Sequence, residues 1–158
     1  AYMMTFLDTV DGKLARATLT SSKMGDVLDH GIDLIHPPFW WWAWWAGLFA
    51  VGEGVAFFWL GAILFGYIAQ RLLEGLFIWR FGIEMHIWRP FDSFFRKITA
   101  RRNPNLVILT VFTMFGAPAA GFIAVSVWVV LSLLVHCWQI AEGFRAARNG
   151  PLSSWMED

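Results

Sequence analysis

Between Leu34 and Ala69 the chain carries no Asp, Glu, Lys or Arg except Glu53, and between Pro104 and Ala141 it carries none at all. His36, His136 and Cys137 are the only imidazole or thiol groups in these two runs. A helix needs about 20 residues to cross roughly 30 Å of hydrocarbon, so each run is too long for one crossing and must fold back once. The stretches "VGEG" (51 to 54) and "GAPAAG" (116 to 121) supply the places to do so.

With 58% hydrophobic and 18% aromatic residues, the chain lies far from the soluble average. The pattern predicts an all-α integral membrane protein, a helical bundle with about five hydrophobic helices in a single domain over 1–158. These helices are expected at roughly 1 to 20, 25 to 49, 54 to 80, 104 to 120 and 121 to 143. The pair Pro37 and Pro38 should kink the second of them. Between the third and fourth, residues 81 to 103 mix aromatics with Arg89, Arg96, Lys97, Arg101 and Arg102, and read as an interfacial amphipathic segment. The single Cys137 excludes an internal disulfide and reads as a small apolar filler.

Four spans after the opening segment put residues 1 to 30, the 81 to 103 segment and the C-terminus on one side. All 12 Lys and Arg then fall on or towards that side, which the positive-inside bias makes cytoplasmic. The 12 Asp and Glu balance them, so the net charge is zero, and membrane lipids rather than nucleic acid are the expected surroundings.

Four carboxylates crowd the opening segment. Asp8 and Asp11 are three apart and Asp29 and Asp33 four apart, so each pair shares one face of its helix. Ionised carboxylates facing one cleft in an apolar bundle repel and need a positive partner. An all-oxygen ligand set with open positions suits Mg²⁺ or Mn²⁺ better than Zn²⁺. Gly12, Ala15 and Gly25 are small neighbours that let a ligand approach the backbone closely, or let two helices pack tightly.

The full spacing, D-x2-D-G-x2-A-R-x8-G-x3-D-x3-D, is matched at every fixed position by Asp8, Asp11, Gly12, Ala15, Arg16, Gly25, Asp29 and Asp33. At ordinary residue frequencies a chance match at one start is on the order of 10⁻¹⁰. This pattern resembles the signature of the CDP-alcohol phosphotransferases, integral membrane enzymes that move a substituted phosphate from a CDP-alcohol donor to an alcohol acceptor and release CMP. The resemblance implies that Asp8, Asp11 and Asp29 ligate one or two Mg²⁺ or Mn²⁺ ions. It makes Asp33 the catalytic base with a share in metal binding, and lines the CDP site with Gly12, Ala15, Arg16 and Gly25. It also implies a place in phospholipid or related phosphodiester synthesis, an active site at the cytoplasmic side, and pairing into a homodimer. Members of the family have about six spans, one and a half of them before the first Asp, so the resemblance predicts that this chain lacks the first helix.

Other polar residues carry weaker expectations. Arg71 and Glu74 should pair one turn apart, or Arg71 should meet an anionic acceptor. His136 and Gln139 should form buried interhelical hydrogen bonds, and His86 should be solvated in its loop. His36 should bond a backbone carbonyl, or assist proton transfer beside Asp33. The cluster "WWWAWW" (40 to 45) should face lipid in an aromatic belt. The run 96 to 105 should anchor to anionic lipid. Two rival readings are a divalent-cation carrier, for which acidic groups in spans are equally natural, and a catalytically inactive fragment of the same family.

Overall fold

The computed structural model describes residues 23–156, with side chains from residue 36 onward. Within them lie five α-helices and no strand: α1 (Lys23–Ala50), α2 (Phe57–Phe81), α3 (Pro90–Ile98), α4 (Arg102–Met114) and α5 (Pro118–Ala146), with a 3-10 turn at Met85–Ile87 before α3. The hydrophobic helix expected at 1 to 20 lies outside the described residues.

The boundaries follow local chemistry. Gly52 and Gly116 take positive φ at the two fold-back points. α2 stops at Gly82, whose left-handed conformation lets its N–H reach the Ile78 carbonyl. Pro90 and Pro118 open α3 and α5 in the first turn, where no N–H is needed. α1 runs helically through Pro37 and Pro38.

α2 and α5, of 25 and 29 residues, are long and apolar enough to cross a membrane. They pack in parallel. The Ser126 hydroxyl donates to the Trp59 carbonyl at 3.0 Å and Gln70 to the Val129 carbonyl at 3.3 Å. Further along, His136 meets Glu74, and Gly143 lies against Phe77. Leu60, Ile63, Phe122, Val125 and Val129 form the dry centre between them, joined by Leu109 from α4. The helices approach closely at Gly66, where an added Cβ would run into Val129 Cγ1. With no hydrophobic drive between helices in lipid, such small-residue contacts and interhelical hydrogen bonds are what hold a bundle together.

The fourth expected span needs correction. α4 has only 13 residues, about 20 Å of helix, and cannot cross roughly 30 Å of hydrocarbon alone. It continues α3. Side-chain contacts step along α5 from Asp92 on Gln139, through Phe95 on His136, to the Ala100 N–H on the Ser132 hydroxyl, and finally to Phe112 on Gly121. α3 and α4 therefore follow α5 in the opposite direction as one helix broken at residues 99 to 101. Pro104 lies just past the break, which helps explain why the helix restarts instead of running through. The outer face of α3 still exposes Phe91, Phe94 and Ile98 beside Arg96 and Lys97, as an amphipathic segment should.

The tryptophan cluster is not wholly an outward belt. Trp42 is exposed, but Trp41 is buried edge-on against Phe122, and the Trp45 indole N–H donates to the Val55 carbonyl at 2.8 Å. Aromatic edges and an indole donor thus tie the end of α1 to α5 and to the turn before α2. Cys137, read as a small apolar filler, is exposed on α5.

Val129 is β-branched and cannot swing clear of a new methyl at Gly66. Gly66→Ala is expected to cost about 1–3 kcal/mol by overpacking. Adding Val129→Ala should restore much of that loss, so thermal unfolding in detergent should show a compensating double variant rather than an additive one.

Candidate functional site

Glu74 is the only carboxylate between Gly54 and Ile83, and it lies near the cytoplasm-proximal end expected for α2. In an apolar bundle its charge demands partners. Four side chains supply them. On its own helix, Arg71 Nη1 stands 3.1 Å from Oε2. From the break before α4, Arg101 Nη2 lies 2.9 Å from Oε1. His86 Nε2 approaches Oε1 to 3.2 Å from the 3-10 turn, and His136 Nε2 does so to 3.2 Å from α5. The pairing of Arg71 with Glu74 and the buried interhelical roles of His136 and Gln139 agree with the sequence expectation.

His86 departs from expectation, for it is buried and not solvated. Burial pushes its imidazole below the ordinary value; Glu74 offsets part of this and the Arg101 charge adds to it. Its Nε2 is 2.9 Å from Arg101 Nη2, whereas its Nδ1 is buried with no hydrogen-bond partner among the described residues. His136, fully buried, is oriented from behind. Its Nδ1 lies 2.8 Å from the Ser132 carbonyl, which can only accept, so Nδ1 carries a proton and Nε2 is the atom turned towards Glu74.

A second network holds the frame. Asp92, fully buried on α3, accepts from Arg89 Nε at 2.8 Å and Nη2 at 3.0 Å, and from Gln139 Nε2 at 2.9 Å. The Arg89 guanidinium sits between Trp88 and Trp138, 4.1 and 4.7 Å from their ring centroids. The turn bearing His86 is fastened by the C-terminal tail. Ser154 donates to the Ile87 carbonyl at 3.0 Å, and the Trp155 indole donates to Ser93 at 3.0 Å. The Ser93 hydroxyl in turn donates to the His86 carbonyl at 2.6 Å.

Glu74, His86 and His136 thus bring one carboxylate oxygen and two imidazole nitrogens within 4.8 Å of one another, a set able to hold a metal ion. Sequence reasoning missed this convergence, because its members are spread from 74 to 136 with no local spacing. A trace was present: Glu74 is the lone acid of its helix, and His136 is the only imidazole of the second apolar run.

Of the site residues expected from the sequence, Asp8, Asp11, Gly12, Ala15 and Arg16 lie outside the described residues. Gly25, Asp29 and Asp33 fall on α1 at every fourth position, where the backbone is described and the side chains are not. His36 follows them on α1 and is exposed. No family model matches the chain, and no curated protein or solved structure is similar to it.

Glu74→Ala should leave two guanidinium groups and two imidazoles converging on nothing. The expected loss is on the order of 3 kcal/mol, because the uncompensated positive charges remain partly desolvated. Glu74→Gln, which keeps an acceptor oxygen, should lose less. Thermal unfolding in detergent compares the two.

Proposed function

We propose that this chain is a membrane-embedded CDP-alcohol phosphotransferase that uses Mg²⁺ or Mn²⁺ and acts at the cytoplasmic face. The observation that carries the reading is the complete match of Asp8, Asp11, Gly12, Ala15, Arg16, Gly25, Asp29 and Asp33 to one spaced pattern. Three features of the fold support it. Gly25, Asp29 and Asp33 lie on one uninterrupted helix, at successive fourth positions and so along one face. α2 and α5 are long and apolar enough to cross a membrane. Asp33 and Glu74 each stand about 25 Å of helical rise from the turn between α1 and α2. The motif carboxylates and the basic side chains Arg71 and Arg101 would then share one end of the bundle.

Carboxylate oxygens are the donors that hard divalent cations take, and Asp29 and Asp33, one turn apart on α1, fit such a set with Asp8 and Asp11. When bound, the ion neutralises the pyrophosphate of the donor and the charge developing on the departing CMP oxygen. The chain's own groups do the rest. Gly12, Ala15 and Gly25 leave room at the backbone for the nucleotide, and Arg16 meets its phosphate charge. Asp33 takes the proton of the acceptor hydroxyl as its oxygen attacks the phosphorus carrying the substituted alcohol. A P–O bond to the acceptor forms, the phosphoanhydride P–O bond breaks, and CMP leaves with the electron pair. Arg71, paired with Glu74, would meet an acceptor that itself carries phosphate.

A cation carrier is the rival, and the ionisable Glu74 cluster among apolar helices is the observation that favours it. Nucleotide binding separates the two. Purified protein should bind CDP and CMP only with Mg²⁺ or Mn²⁺, and Asp11→Asn should abolish that binding. Asp33→Asn should keep most of the binding while turnover falls by about 10²-fold or more. Metal binding with no nucleotide binding would favour the carrier.

A further inference from the structure

The Glu74 cluster differs in chemistry from the motif carboxylates. Its donors are two imidazole nitrogens and one carboxylate oxygen, a mixed set that selects borderline transition metals over Mg²⁺.

Two of the three ligand separations match such an ion, and the third lies within 4.8 Å. A tetrahedral ion with bonds of about 2.0–2.1 Å sets its ligand atoms about 3.3–3.4 Å apart. Glu74 Oε1 is 3.2 Å from His86 Nε2 and 3.2 Å from His136 Nε2. The orientation fits as well. The Ser132 carbonyl fixes the proton of His136 on Nδ1, the backing that metal-bound imidazoles usually have, and leaves Nε2 to face the carboxylate. With a neutral imidazole the Nε2 lone pair faces a carboxylate oxygen at 3.2 Å, a contact that a cation between them would make favourable. At His86 the Arg101 guanidinium, which can only donate, lies 2.9 Å from Nε2, so that nitrogen carries the lone pair. Three separate elements supply the three ligands, so an ion there would clamp α2, the 3-10 turn and α5 together.

Arg101 Nη2 already contacts two of the three donors, Oε1 at 2.9 Å and His86 Nε2 at 2.9 Å. It enters from the break between α3 and α4, and its side chain is 30% exposed, so it has an outward route. A guanidinium and a divalent ion cannot share those lone pairs. We infer that Glu74, His86 and His136 form a binding site for one Zn²⁺-class transition-metal ion, and that the Arg101 guanidinium is its built-in competitor.

Co²⁺ titrated into the purified full chain in detergent reports the site directly through the visible absorption of a low-coordinate cobalt centre. One Co²⁺ per chain is expected, retained in a large excess of Mg²⁺ and displaced by Zn²⁺. His86→Gln and His136→Gln should each weaken it by at least about 10-fold, as loss of metal-site groups does. Arg101→Ala should strengthen it severalfold, and this gain is readable even if the histidine variants fail to fold. A chain with Asp8, Asp11, Asp29 and Asp33 all changed to Asn should bind Co²⁺ as before. That last result separates this site from the proposed transferase centre, whose metal-dependent nucleotide binding the same variant abolishes. Binding lost in the four-Asn chain, binding unchanged in both histidine variants, or no gain with Arg101→Ala would overturn the inference.

Discussion

Placing a carboxylate on an apolar helix is unfavourable unless charged or polar groups surround it, and most of the inner architecture converges on Glu74. Arg71 comes from the same helix, but the other partners come from elsewhere. The 3-10 turn brings His86, the break before α4 brings Arg101, and α5 brings His136. Each is then held from behind by a further contact: Ser132 for His136, and the Ser93, Ser154 and Trp155 chain for the turn that carries His86. The carboxylate acts as a hub that fixes the register of three segments on α2.

The broken helix has the same root. A continuous α3–α4 helix would satisfy every backbone group internally, which is the cheapest arrangement in a low-dielectric setting. Instead residues 99 to 101 leave the helix, with Thr99 and Ala100 buried and the Ala100 N–H passed to the Ser132 hydroxyl. Irregular backbone is tolerated there because other parts of the protein surround it. What the break provides is a direction for Arg101 that a helical position would not give.

How much of this was legible in the sequence depends on the range of the signal. The fold-back points at 51 to 54 and 116 to 121, and the long apolar helices beside them, follow from local composition and from glycine and proline chemistry. The Arg71 and Glu74 pair follows from one helical turn. The shortness of α4 was legible too, because the stretch from Pro104 to the fold-back at Gly116 is too short for a crossing. The burial of His86 was not, because it rests on a tail more than 60 residues away closing over its turn. The tryptophan run misled in a similar way: composition gave an aromatic belt, whereas Trp41 turns inward because Phe122 offers it an edge-on partner. The spaced aspartates form a strong linear pattern, yet the histidines of the Glu74 cluster meet only through tertiary packing.

The parallel course of α2 and α5 has an electrostatic consequence. Two adjacent helices pointing the same way align their peptide dipoles, so about half a unit of negative charge gathers at each of two neighbouring C-termini. The chain meets this with Arg80 in the last turn of α2 and Arg145 in the last turn of α5. At the other end Glu53 Oε2 accepts from the Ala119 N–H, setting a carboxylate on the positive pole of α5. Two parallel neighbours whose dipoles repel side by side are thus countered by basic residues at both C-termini and by a carboxylate at the N-terminus of α5.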